Sequence, residues 1–230
     1  MDIKGVQKIS LIEYPGRVSC VVFLPGCNFR CPFCYNTGLV LTPENVESMP
    51  GQEFFSFLEG RKKWIEAVVV TGGEPCLSPD LPELIKKIKE MEYLVGLETN
   101  GTNPRMLERL IKENLVDYIA MDIKGPKERY PEIAGAKVNI RDIQKSIDLV
   151  RGSGLQYEFR TTFVPGLVGK QDMKRVGKWL EGAERYGVQR FMPKACLDKT
   201  FESKVPYSKE ELEEIAGIAR KFFKKVEVRE

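Results

Sequence analysis

Between residues 18 and 192 the chain alternates short β-branched apolar runs with segments of helical period, and this alternation limits the available folds more than any other feature. Strands are predicted over 18–24, 67–70, 93–97, 118–122, 157–163 and 188–192, and several are apolar at consecutive positions. Such runs fit strands covered on both faces. Helices are predicted over 80–90, with Pro82 in the first turn, 104–113, 139–151 behind Asn139, 172–186, and 208–223. The last opens on the capping box Ser208-Lys-Glu-Glu211. Repeated strand–helix units imply parallel strands joined by right-handed crossovers. Six predicted strands are too few for an eight-fold barrel. The expected fold is therefore α/β, either a partial (β/α)6 barrel of parallel strands or a doubly wound sheet. With no Pro/Ser-rich linker, residues 1–230 are expected to form a single domain. In either architecture ligands gather at the carboxyl ends of the strands.

Charge narrows the function classes. The 36 basic and 33 acidic residues leave a net charge of +3, which offers neither a nucleic-acid nor a membrane footprint. The basic stretch Arg220-Lys221 with Lys224-Lys225 reads as a solvated helix face. No apolar run approaches the roughly 18 residues of a membrane span, and the first residues lack an apolar signal core. A cytoplasmic location follows, where disulfides are disfavoured. There is no histidine, so the usual general base, the Ser-His-Asp arrangement and most catalytic zinc sites are excluded.

Three of the six cysteines lie within eight residues, in Leu24-Pro-Gly-Cys27-Asn-Phe-Arg-Cys31-Pro-Phe-Cys34-Tyr-Asn36, just after the first predicted strand. Thiolates at spacings of four and three can wrap a small inorganic centre. Iron–sulfur clusters are ordinarily held by four cysteines, so three would leave one iron open to a small molecule. The alternatives are a structural zinc site, which needs a fourth and distant cysteine, and a redox pair at Cys31-Pro-Phe-Cys34, which leaves Cys27 unexplained. Cys20 reads as a buried strand thiol, and Cys76 and Cys196 are isolated.

Other polar residues recur at strand ends. Thr71-Gly72-Gly73-Glu74-Pro75 follows a strand, where paired glycines permit close backbone approach and Glu74 is an acceptor for an ammonium group. Glu98-Thr99-Asn100-Gly101 and Asp122-Ile-Lys124-Gly125 end the next two strands; locally they read as a turn and a cap. Arg160, inside 157–163, needs an acceptor when buried, either an internal carboxylate or that of a substrate.

Cys27-x-x-x-Cys31-x-Phe33-Cys34 resembles the C-x-x-x-C-x-aromatic-C signature of the radical S-adenosylmethionine (radical SAM) superfamily. Over nearly the whole length the chain is similar to short glycyl-radical-enzyme activating proteins of that superfamily. Ser10-Leu-Ile-Glu-Tyr-Pro-Gly16 and Phe23-Leu-Pro-Gly-Cys-Asn-Phe-Arg-Cys31 carry the finer likeness to the activators of anaerobic ribonucleoside-triphosphate reductase and pyruvate formate-lyase. The resemblance implies a partial barrel of the radical SAM type and a [4Fe–4S] cluster on Cys27, Cys31 and Cys34. It also implies S-adenosylmethionine held by Phe33, Tyr35, Gly72, Gly73, Glu74, Asp122, Lys124 and Arg160. Glu98, Thr99 and Asp122 match positions that hold a monovalent cation in a related activator. The implied reaction is reductive cleavage to a 5′-deoxyadenosyl radical that takes a glycine Cα hydrogen from a partner enzyme. A flavodoxin- or ferredoxin-type reductant would supply the electron. Alternatives are a radical enzyme acting on a small molecule or another macromolecule, and a non-enzymatic iron–sulfur or zinc protein. Relatives place a histidine near the ribose after the last strand. Here Phe191-Met-Pro-Lys194 stands there and leaves Lys194 or a backbone group for the role.

Overall fold

The structure is a computed structural model and describes residues 2–230. In chain order its elements are β1 (Gly5–Ser10), β2 (Ser19–Leu24), α1 (Thr37–Leu41), α2 (Gly51–Glu59), β3 (Ala67–Gly72), α3 (Leu81–Glu90), β4 (Leu94–Thr99) and α4 (Pro104–Lys112). There follow β5 (Tyr118–Asp122), α5 (Tyr130–Ala134), α6 (Ile140–Gly152), β6 (Gln156–Phe163), α7 (Lys170–Leu180), β7 (Arg185–Arg190), α8 (Lys209–Ala219) and β8 (Lys225–Arg229). The chain divides into two compact units. One holds Met1–Asn28, Gly38–Ala120 and Asp142–Gln156; the other holds Phe29–Thr37, Met121–Arg141 and Tyr157–Glu230. Both are assembled from separated segments, so the chain passes repeatedly from one to the other.

In the first unit the strands follow sequence order, with β1 antiparallel to β2 and then β2, β3 and β4 parallel. The Val-rich runs of β2 and β3 are buried on both faces, as their lack of polar alternation requires. Tyr14, Val21, Ala67, Val69, Tyr118 and Ala120 pack as one cluster, with the Tyr14 and Tyr118 rings 5.3 Å apart. Burying each large apolar side chain there contributes about 1.5–3 kcal/mol. Parallel register sets Leu24 beside Gly72, so the loops leaving β2 and β3 emerge at the same edge. α4 is capped by Asn103, whose side chain accepts from Met106 N.

In the second unit β6, β7 and β8 are parallel neighbours. Tyr186 on β7 stacks on Phe223, ring centroids 4.4 Å apart and 3° from parallel, and donates its hydroxyl to Thr161 on β6 at 2.6 Å. α8 begins with the expected capping box between Ser208 and Glu211.

Two strands lie outside the six expected. β1 is an edge strand with an exposed stretch, so its apolar pattern is diluted. β8 carries an alternation, Lys-Val-Glu-Val-Arg, beyond a helix that ends sooner than expected. α7 likewise stops at Leu180 rather than running to 186, because Gly182 takes a positive φ of 85° and turns the chain into β7.

Candidate active site

In the first unit the residues at the ends of β2, β3 and β4 form one network. Gly72 and Gly73 are glycines because backbone crowds them: a Cβ on Gly72 would lie 2.2 Å from Leu24 O, and one on Gly73 would lie 1.9 Å from Gly26 O and 3.2 Å from Cys27 Cβ. The close approach that the glycine pair permits is thus to the cysteine loop itself. Gly73 N donates to Leu24 O at 3.0 Å and Glu74 N to Gly26 O at 2.7 Å, fastening the two loops together.

Glu74 is 1% exposed. Its Oε1 accepts from Cys76 N at 3.0 Å and Thr99 Oγ1 at 2.7 Å, and its Oε2 accepts from Asn100 N at 2.6 Å. Burial pushes its pKa up, although all three donors favour the ionised form. The carboxylate expected to meet an ammonium group is therefore a brace that ties the loop after β3 to the end of β4. Thr99 spends its hydroxyl on that brace. Its neighbour Glu98 accepts from Thr71 Oγ1 at 2.7 Å, so the adjacent residues serve different partners, as strand alternation requires. Asn100, read from sequence as part of a turn, reaches Cys27 through its side-chain amide, Nδ2 to Sγ 4.0 Å. The polar pair Thr99-Asn100 at the end of β4 was the signal for this role, masked by the Asn-Gly turn pattern.

The second unit carries the remaining candidates. Asp122, at the end of β5, pairs with Lys124 Nζ at 2.9 Å and with Arg160 Nε at 2.5 Å. Burial raises the Asp122 pKa, but Arg160 and Lys124 outweigh it and hold the carboxyl well below its usual range. Burial pulls Lys124 down, and Asp122 followed by Cys31 overrule it, so the ammonium stays firmly protonated. This doubly paired carboxylate is the internal partner that a buried Arg160 required. Gly187 on the neighbouring strand makes room for it, since a Cβ there would sit 3.0 Å from Arg160 Cβ. The three charges sum to +1.

Cys31 and Phe33 are buried, whereas Tyr35 is 56% exposed. The loop is pinned by Arg30 N to Ala134 O at 2.8 Å, beside Gly135, whose φ of 60° brings it against the Arg30 carbonyl. It is pinned again by Leu197 N to Cys34 O and Asp198 N to Pro32 O, both 2.9 Å. Cys196 is therefore a neighbour of this loop, although it is fully buried and its thiol is pushed up by that burial. Burial also drives Cys20 up to about 12 and Cys76 well above its ordinary value, which marks both as inert core thiols.

A sequence model of the radical SAM superfamily matches residues 21–180, which is more than half of the chain. The chain belongs to the radical SAM superfamily. This radical SAM protein is 36% identical over 233 aligned positions to a Methanocaldococcus jannaschii protein provisionally assigned as a glycyl-radical enzyme activating enzyme, covering 99% of this chain and 95% of the relative. Among solved structures, Streptococcus suis SuiB bound to S-adenosylmethionine superposes with a TM-score of 0.70 at 15% identity. The match covers 91% of this chain and 52% of that one. A domain of pyruvate-formate lyase-activating enzyme from Bacteroides vulgatus gives a TM-score of 0.57 at 16% identity, covering 71% and 99%. These likenesses establish the α/β fold with its mostly parallel sheet, as anticipated from the strand–helix repeat. This chain spans about half the length of the SuiB chain.

The donor set fits an iron–sulfur centre. Cys27, Cys31 and Cys34 supply three sulfur donors outside any disulfide, and soft thiolates are the ligands such clusters take. Lys124, held protonated by Asp122 and then by Cys31, is a fixed cation that would offset part of the negative charge of a thiolate-bound cluster. Among the described residues no three His, Cys, Asp or Glu side chains are placed to hold a single metal ion, and no helix is long and apolar enough to cross a membrane.

Proposed function

We propose that residues 1–230 act as one radical SAM domain that activates a glycyl radical enzyme, with a [4Fe–4S] cluster on Cys27, Cys31 and Cys34. The observation that carries this reading is the 36% identity to a protein of nearly the same length with that provisional assignment. Cys27, Cys31 and Cys34 would hold the cluster, which when bound would supply the one electron needed to cleave S-adenosylmethionine reductively to methionine and the radical that takes a glycine Cα hydrogen. The protein's own residues bind and orient. Glu74 and the glycine pair hold the cysteine loop in register with β3 and β4. Asp122, braced by Arg160, keeps Lys124 charged and aimed; together the three offer a polar surface to the methionine and ribose groups. No protein acid or base is required, which agrees with a chain that has no histidine.

The test is anaerobic reconstitution, iron analysis, and addition of dithionite and S-adenosylmethionine. The expected products are 5′-deoxyadenosine and, on mixing with a candidate partner, a glycyl radical signal by EPR. A preparation holding four irons that forms no 5′-deoxyadenosine would overturn the enzymatic reading. Cleavage without any glycyl radical, but with turnover of a small molecule, would redirect the substrate class. Cys31→Ala should lose both the cluster and cleavage.

A further inference from the structure

We propose that Asn100 is a positioning residue for the cluster: its side-chain amide holds an N–H dipole on the Cys27 sulfur and raises the cluster's reduction potential. The proposal rests on Cys27 being a ligand, as in the function proposed above.

The amide is held at every polar atom. Asn100 is 5% exposed, and its backbone N is fixed by Glu74 Oε2 at 2.6 Å. Its Oδ1 accepts from Thr102 N at 3.0 Å and from Thr102 Oγ1 at 2.7 Å. A flipped amide would press its NH2 against the Thr102 N–H, so the orientation is determined by chemistry. An Asn amide nitrogen has two hydrogens. One goes to Asn28 Oδ1 at 2.9 Å, and the other faces Cys27 Sγ at 4.0 Å. Asn28 is oriented in turn by donating its own amide to Thr102 Oγ1 at 2.9 Å. Every group in this circuit belongs to the loops after β2 and β4, and Glu74 ties the circuit to the end of β3. The donor is thus set before any cofactor arrives, at no reorganisation cost.

Hydrogen bonds to the sulfurs are one of the protein's levers on cluster potential. When the cluster takes up an electron, negative charge on the thiolate sulfur grows and no proton moves. A positive N–H end aimed at that sulfur stabilises the reduced form more than the oxidised one. Cleavage of a sulfonium needs a strongly reducing cluster that a cellular donor can still charge, and Asn100 acts on that second requirement.

The experiment is EPR-monitored redox titration of the reconstituted protein without S-adenosylmethionine. Asn100→Asp is isosteric, replaces the donor with an acceptor, and should shift the midpoint potential to more negative values. Asn100→Ser, shorter by the amide, should shift it the same way by less. Asn28→Ala frees the other amide hydrogen and removes a donor from Thr102 Oγ1, but both Thr102 donors stay on Asn100 Oδ1, so the potential should stay where it is. Four irons with an unmoved potential in both Asn100 variants would overturn the proposal, as would an equal shift in Asn28→Ala. The ligand assignment fails separately, if Cys27→Ala still takes up four irons with an unchanged EPR signal.

Discussion

Replacing Glu74 with alanine isolates the brace that joins the loop after β3 to the end of β4. The substitution strands three donors: Cys76 N, Thr99 Oγ1 and Asn100 N. The threonine hydroxyl can rotate toward another acceptor, but the two backbone N–H groups cannot. A buried donor left unpaired costs about 1–3 kcal/mol, so two cost roughly 2–6, and some water entry brings the expectation to about 3–4 kcal/mol. Glu74→Gln preserves the volume and one acceptor and sets an NH2 against one donor, so about half that loss is expected. Urea unfolding of the reduced apoprotein measures both, and hydrogen exchange at the Cys76 and Asn100 amides reports the site directly. An alanine variant within about 1 kcal/mol of the parent, with both amides still protected, would refute the reasoning, since two orphaned buried donors cannot cost so little.

Three further outcomes follow from the same geometry. Native Glu74 holds its proton to higher pH than the unfolded chain does, so stability should fall as pH rises above its ordinary 4.5 until the folded group ionises; Glu74→Gln should flatten that fall in urea midpoints, and an unchanged slope would contradict the assignment. Gly73→Ala forces a Cβ onto the Gly26 carbonyl, backbone against backbone, and should cost about 3 kcal/mol and lower the iron retained on reconstitution. Arg160→Met leaves Asp122 with Lys124 alone and should cost about 3 kcal/mol, the lower end for a broken buried pair. The parent's depressed Asp122 gives stability that is present above 3.8 and lost only as pH falls through the lower folded value; acid unfolding of the variant should therefore begin at higher pH, as followed by circular dichroism.

Where a residue's role depends on near neighbours in sequence, it was legible beforehand. The Val runs of β2 and β3, the Ser208 cap and the cysteine spacing each carry their meaning within ten residues. Glu74 does not, since its three donors come from positions 76, 99 and 100. From sequence it is an unpaired carboxylate beside two glycines and invites a ligand; in the fold it is already engaged. Arg160 shows the same limit, because nothing near it announces Asp122, 38 residues earlier. β1 and β8 escaped for another reason: exposed strands at the ends of a chain need little apolar surface, so their patterns are faint.

The second half of the cysteine loop hangs on late parts of the chain. Arg30 is fastened to Ala134, and Pro32 and Cys34 are fastened to Asp198 and Leu197. During synthesis the thiols leave the ribosome long before those anchors exist. At roughly 5–20 residues per second, the loop waits on the order of ten seconds or more for its last two supports. Any iron and sulfide taken up by the fully shaped loop would accordingly arrive after translation, and a message cut short before position 197 yields all three thiols without the scaffold that shapes them.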